Sequence, residues 1–135
     1  MAKIIISKLS ITFNINMMKK IILTLLLAIT FTATYSQSKH QERQNKYFVE
    51  AATKEYNLNK LQQDELKVIR TAMVVAYGEA TKQEKSGDIT SADKISKTQE
   101  ASKNFNNALI KLTGIQYDEL EPFLTRMRAE LKQVK

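Results

Sequence analysis

From residue 37 to residue 135 the chain contains three glycines, Gly78, Gly87 and Gly114, and one proline, Pro122. Interruptions of the backbone are therefore few. Nowhere do β-branched residues alternate with polar ones for the length of a strand, so this stretch reads as all-α. No low-complexity tract divides it. About 99 residues can bury one modest core, removing roughly 60–65% of the unfolded surface, and a single domain is expected over residues 37–135.

The apolar spacing places about four helices. The first is predicted over residues 42–56, with Tyr47, Phe48, Ala51, Ala52 and Tyr56 on one stripe. The polar lead-in, residues 37–46, is expected to fray. A second helix follows Asn59 and runs to about Lys85, with a stripe of Leu66, Ile69, Met73, Ala76 and Ala80 widened by Val68, Ala72 and Val75. Its centre is apolar all round and needs cover on more than one side. Gly87 suits a left-handed residue just past a helix, and Thr90 or Asp88 can cap the third. That helix carries Ala92, Ile95, Gln99, Ser102, Phe105, Leu109 and Leu112, a stripe that turns polar in the middle. Helices two and three come to about 40 and 34 Å at 1.5 Å per residue. Matched lengths about a short turn argue for a long antiparallel hairpin. A fourth segment begins after Thr113 and carries Phe123, Leu124, Met127 and Leu131; Pro122 is expected to kink it or to restart it. Glu42/Lys46, Glu50/Lys54 and Asp93/Lys97 are spaced for i,i+4 pairs, each contributing a few tenths of a kcal/mol.

The N-terminal region has a different character. Residues 18–37, MKKIILTLLLAITFTATYSQ, have the layout of a secretory signal: Lys19 and Lys20, an apolar stretch over residues 21–31, then small and polar residues. Thr34 and Ser36 occupy the −3 and −1 positions if cleavage falls between Ser36 and Gln37. The alternative is an uncleaved anchor, but the apolar run is about 15 residues where spanning needs roughly 20. Residues 1–16 fit neither a signal nor a globular segment, so translation is expected to start at Met17 or Met18, leaving 17–36 as signal. Periplasmic or secreted localisation follows, with no stable membrane anchor after cleavage. Of the formal charge of +7, four lysines in the first 36 residues account for +4. The remainder, +3, does not support nucleic-acid binding.

Two short stretches share helix-start grammar. In Leu58-Asn59-Lys60-Leu61-Gln62, Asn59 can cap a helix while Gln62, three residues on, reaches back to its amide. In Leu112-Thr113-Gly114-Ile115-Gln116, Thr113 and Gln116 are predicted to do the same, with Leu112 and Tyr117 as a hydrophobic staple fixing the entry angle. Gly114 would then occupy a permissive first turn.

Leu-Thr-x-x-Gln occurring once intact and once as Leu-Asn-x-x-Gln, in a small cysteine-free helical chain behind a signal, resembles the Spy/CpxP family of periplasmic proteins, named for LTxxQ motifs. The resemblance covers roughly residues 47–132. It implies a cradle-like helical protomer that pairs into an antiparallel homodimer and holds partly unfolded client proteins without ATP on a concave face of mixed basic and apolar character. Other members inhibit stress signalling or respond to metals. Arg43, Lys46, Tyr47, Arg70, Met73, Val74, Tyr77 and Lys103 are the candidate client or dimer contacts, since they pair positive charge with apolar groups that exposure could offer. Simple core is the competing assignment for Met73, Val74 and Tyr77.

Catalysis is hard to build from these residues, and no enzyme is expected. His40 is the one histidine, there is no cysteine, and no phosphate-cradling glycine loop appears. Asp64, Glu65, Asp118, Glu119 and Glu121 read as first-turn acids complementing helix dipoles. No cofactor or metal is expected, since His40, Met73 and Met127 are the only soft or imidazole ligands beyond the signal. The leading expectation is a chaperone or stress-response protein; the alternative is a dedicated helical module that inhibits or regulates one envelope protein.

Overall fold

A computed structural model describes residues 38–135, all of which belong to one compact unit. The expected extension, signal segment and cleavage point lie outside the described residues. Four helices and no strand are present among them: α1 Lys39–Tyr56, α2 Lys60–Ser86, α3 Ser91–Thr113 and α4 Tyr117–Leu131. The fold is all-α.

Local chemistry sets the first three starts. Ser38, Asn59 and Thr90 each accept a hydrogen bond from the amide of the third helical residue, whose side chain returns one to the cap. These reciprocal boxes satisfy amides that a helix otherwise leaves without partners. The box at Ser38 and Gln41 starts α1 at Lys39, three residues before the expected start, and the segment expected to fray is helical. Asn57, Gly87 and Gly114 close α1, α2 and α3 in the left-handed conformation.

The stretch around Gly114 departs from expectation. Thr113 is the last residue of α3 and not the cap of α4. Its hydroxyl donates to the Leu109 carbonyl at 2.8 Å and accepts from the Ile115 amide at 3.2 Å. Gly114, at φ 70°, sends its amide to the Ile110 carbonyl and ends the helix. Glycine adopts that conformation without the clash a Cβ brings, so the helix end prevails over a start at Thr113. The start moves to Gln116, whose side chain makes no capping bond. The predicted Thr113–Gln116 box and the Leu112–Tyr117 staple are therefore absent; both apolar residues instead pack on the core.

Helix α4 is one helix, with Pro122 as its sixth residue. It is neither divided at Pro122 nor restarted there, although the Asp118 carbonyl loses an amide partner. Helices α2 and α3 form the antiparallel hairpin, shown by Glu84 against Lys94, Gln83 against Lys97, and Tyr77 against Ser102. Helix α1 runs back along the first half of α2, with Asn45 beside Arg70. Helix α4 is antiparallel to α1: Tyr56 meets Phe123, Arg126 meets Glu55, and Tyr47 meets Glu130.

The core sits where all four helices meet. Phe48 is its hub, edge-on to Phe105 at 5.7 Å and to Phe123 at 5.5 Å between ring centroids. Leu66, Leu109, Leu120 and Met127 are fully buried around it. Toward the turn of the hairpin the stripe expectations weaken: Ala76 and Ala92 are exposed and Ile95 is 55% exposed, although Ala80 is buried. Among the described residues the ion pairs formed are Lys46–Glu50, Lys60–Asp64, Lys94–Glu84, and Arg126 with Glu55 and Glu130. None of the three expected i,i+4 pairs is among them. Asp64 and Glu65 lie past the first turn of α2, while Asp118 and Glu119 do lie in the first turn of α4.

Candidate functional site

The polar middle of α3 has a purpose in the geometry: it lines an open groove of about 660 Å³ along the hairpin. Tyr77 of α2, Ser102, Lys103, Asn106 and Ile110 of α3, and Tyr117 of α4 are among its walls, and no carboxylate is. Helical periodicity explains the row. Gln99, Ser102, Lys103, Asn106 and Ile110 recur at three- and four-residue intervals, so they share one face of α3. The groove thus offers aromatic and aliphatic surface, amides that donate and accept, and ammonium groups at Lys94 and Lys103. Lys94 is held by Glu84 at 3.0 Å, whereas Lys103 makes no ion pair among the described residues. The Tyr77 hydroxyl shares a hydrogen bond with Ser102, which ties the ring to both helices. Tyr77 also borders a second recess with Gln41, Gly78, Thr81, Lys82 and Lys85, again free of acids.

The eight residues predicted as client or dimer contacts do not form one surface. Tyr77 and Lys103 come together in the groove. Arg43, Lys46 and Tyr47 lie on the exposed side of α1. There Arg43 Nε donates to the Lys135 carbonyl at 2.7 Å and the Tyr47 hydroxyl donates to Glu130 at 2.7 Å, which ties α1 to the end of α4. As the acceptor of that hydrogen bond, Glu130 raises the Tyr47 phenol pKa above its ordinary value. Met73 packs against the core and Val74 is half-buried.

Arg70 stands apart from the rest. Its guanidinium lies over the Phe48 ring at 4.6 Å and over Phe105 at 5.8 Å, capping the aromatic cluster. Its Nε donates to Asn45 Oδ1 at 3.1 Å. Burial lowers its pKa to about 10, so it stays charged at neutral pH. The sequence reading missed Asn45, which is buried in the core at 3% exposure. Its position between Gln41 and Phe48 on the inward face of α1 was the available signal. Also missed were Asn106, Asn107 and Tyr117 as groove residues.

The motif residues act at helix junctions. Gln62 closes its box on Asn59 and also donates through Nε2 to the Leu112 carbonyl at 3.1 Å, while Leu58 is buried beneath. Of the described residues, no group of three or more His, Cys, Asp or Glu is arranged to hold a metal ion, and no helix is long and apolar enough to cross a membrane.

Compared with known family models, curated proteins and solved structures, the chain matches none.

Proposed function

We propose that this protein holds partly unfolded polypeptides without ATP, in the manner of the Spy/CpxP-type proteins its two motif copies resemble, and that it works in the periplasm or outside the cell. The observation that carries the reading is the α2–α3 groove: open, walled by Tyr77, Ile110 and Tyr117, bordered by Lys94 and Lys103, and without a carboxylate. An unfolding chain exposes apolar side chains together with unpaired amides and carbonyls. A wall of aromatic rings beside Ser and Asn side chains serves both kinds of group. Lysines attract acidic segments at long range while tolerating sequence variety, as a point charge on a flexible stem does. Such a surface favours weak, varied binding over one tightly fitted partner.

Light scattering of an aggregating client tests this reading. Suppression at an equimolar ratio is expected, and unchanged aggregation overturns it. Affinity capture separates it from a dedicated regulator: a holding protein returns many weak partners, and a regulator returns one.

A further inference from the structure

Arg70 and Asn45 together carry more donors than acceptors. Among the described residues Arg70 makes no ion pair, and its one hydrogen bond is from Nε to Asn45. Asn45 Nδ2 is buried without a hydrogen-bond partner. The amide cannot be turned over to relieve this: Arg70 Nε is a donor only, so Oδ1 must face it and Nδ2 must be the orphan. Buried donors of this kind are rare and costly, and this one is bonded through the same amide to a guanidinium lacking a counterion.

We propose that Arg70 and Asn45 form a receptor for one carboxylate, supplied by a small organic acid or by an acidic side chain of a bound polypeptide. The rings of Phe48 and Phe105 hold the guanidinium plane in place, and Nε is already committed. The Nη edge remains, and its paired N–H groups match the two oxygens of a planar carboxylate. Nδ2 shares a carbon with the Oδ1 that accepts from Nε; it is closed to solvent in the unliganded fold, so it becomes a further donor only if the Asn45 side chain shifts as the carboxylate arrives. Arg70 is intermediate in exposure, so part of the residue meets solvent. The desolvation that depresses its pKa is the kind an arriving anion reverses. The receptor lies beside the Phe48 and Phe105 rings, and it stands or falls separately from client holding.

The test is a titration of the protein with sodium acetate, and in parallel with an amidated glutamate-containing peptide, against sodium chloride at matched ionic strength. Saturable shifts of the Arg70 Nε–H and Asn45 Nδ2–H resonances with acetate are expected, together with a rise in melting temperature. A response to both probes assigns the site to acidic polypeptide as well as to small acids; a response to acetate alone assigns it to small acids. Asn45→Asp retains the bond to Nε and places a carboxylate inside the receptor, so this variant is expected to melt higher and to ignore acetate. Arg70→Lys, which loses the planar fork, is expected to weaken acetate binding by about tenfold or more. Identical responses to acetate and chloride, or an Asn45→Asp variant that responds like the parent, would overturn the proposal. So would inorganic phosphate binding more tightly than either carboxylate.

Discussion

The side-chain amide of Gln62 joins two helix ends: Oε1 accepts from the Asn59 amide at 3.0 Å, and Nε2 donates to the Leu112 carbonyl at 3.1 Å. One residue therefore completes the start of α2 and satisfies a carbonyl in the last turn of α3, 50 positions away. The two motif copies are thus connected in space, at the end of the hairpin opposite its turn.

Replacing Gln62 removes both contacts. Gln62→Ala is expected to destabilise the fold by about 1–2 kcal/mol, adding a lost box to a lost tertiary bond. Gln62→Glu keeps the acceptor for Asn59 but sets a carboxylate against the Leu112 carbonyl, so it should recover only part of that loss. Gln116→Ala provides the contrast. Its side chain makes no capping bond, and a change within about 0.5 kcal/mol is expected. Urea denaturation of the three variants checks the set, and equal losses at Gln62 and Gln116 would contradict the assignment of α4.

At Gly114 the strain is in the backbone alone. With φ at 70° and no atom within 4 Å of a built Cβ, Gly114→Ala is expected to cost about 1 kcal/mol through the left-handed conformation. Gly114→Asn should cost less, because Asn tolerates that region better. A loss well above 2 kcal/mol in Gly114→Ala would point to a contact the geometry lacks. Thermal melts of both variants decide it.

These two positions also explain which parts of the fold could be read from the sequence. At Asn59–Gln62 no competing signal intrudes, and the box is where the spacing places it. At Thr113–Gln116 two grammars overlap in five residues, a start at Leu-Thr-x-x-Gln and an end at Thr-Gly, and local sequence does not rank them. What ranks them is the α3 stripe continuing through Phe105 and Leu109 into the core, a tertiary fact. The start of α1 was written in Ser38 and Gln41, yet polar composition argued for fraying. Gln44 Nε2 donating to the Leu131 carbonyl, and Asn45 beside Arg70, anchor that polar turn from other helices. The groove follows the same rule. Its α3 row was visible as a polar interruption, but Tyr117 joins it only because α4 begins where it does.

Phe48 is the test of where stability resides. It is 1% exposed and touches Phe105, Phe123 and Arg70 from three other helices. Phe48→Ala is expected to cost about 3–5 kcal/mol, a large share of the 5–15 kcal/mol available to a typical domain. Ile95→Ser, on the outer hairpin, should fall within about 0.5 kcal/mol of the parent. Denaturant midpoints of the two variants measure the difference between the four-helix core and the turn end of the hairpin.

In the groove, Lys103→Glu reverses an ammonium that has no ion-pair partner among the described residues. If clients are held there, suppression of aggregation should weaken by a factor of up to roughly five, matching about 0.2–1 kcal/mol for an exposed charge. Tyr47→Phe removes a hydroxyl bonded to Glu130, outside the groove, and should leave suppression unchanged. The reverse ranking would move the client surface to α1.

Acid should loosen the hairpin turn before the core. Glu84 lies below the ordinary carboxylate range because Lys94 donates to it, and Asp93 because the Thr90 amide and hydroxyl bond it. A carboxylate whose pKa is depressed by folding stabilises the fold above its unfolded value, near 4, and that contribution disappears as pH falls through the folded value. Both groups flank Gly87 at one end of the hairpin, while the aromatic core holds no carboxylate. Amide hydrogen exchange, corrected for its intrinsic pH dependence, should therefore show protection falling around Thr90–Lys94 as pH drops below about 4, with the amides of Phe48 and Leu109 still protected. In Asp93→Asn the acid-sensitive loss at the turn should shrink, because the replacement keeps an acceptor for Thr90 and no longer titrates. Simultaneous loss of protection at the turn and the core would show instead that the hairpin opens only with the whole fold.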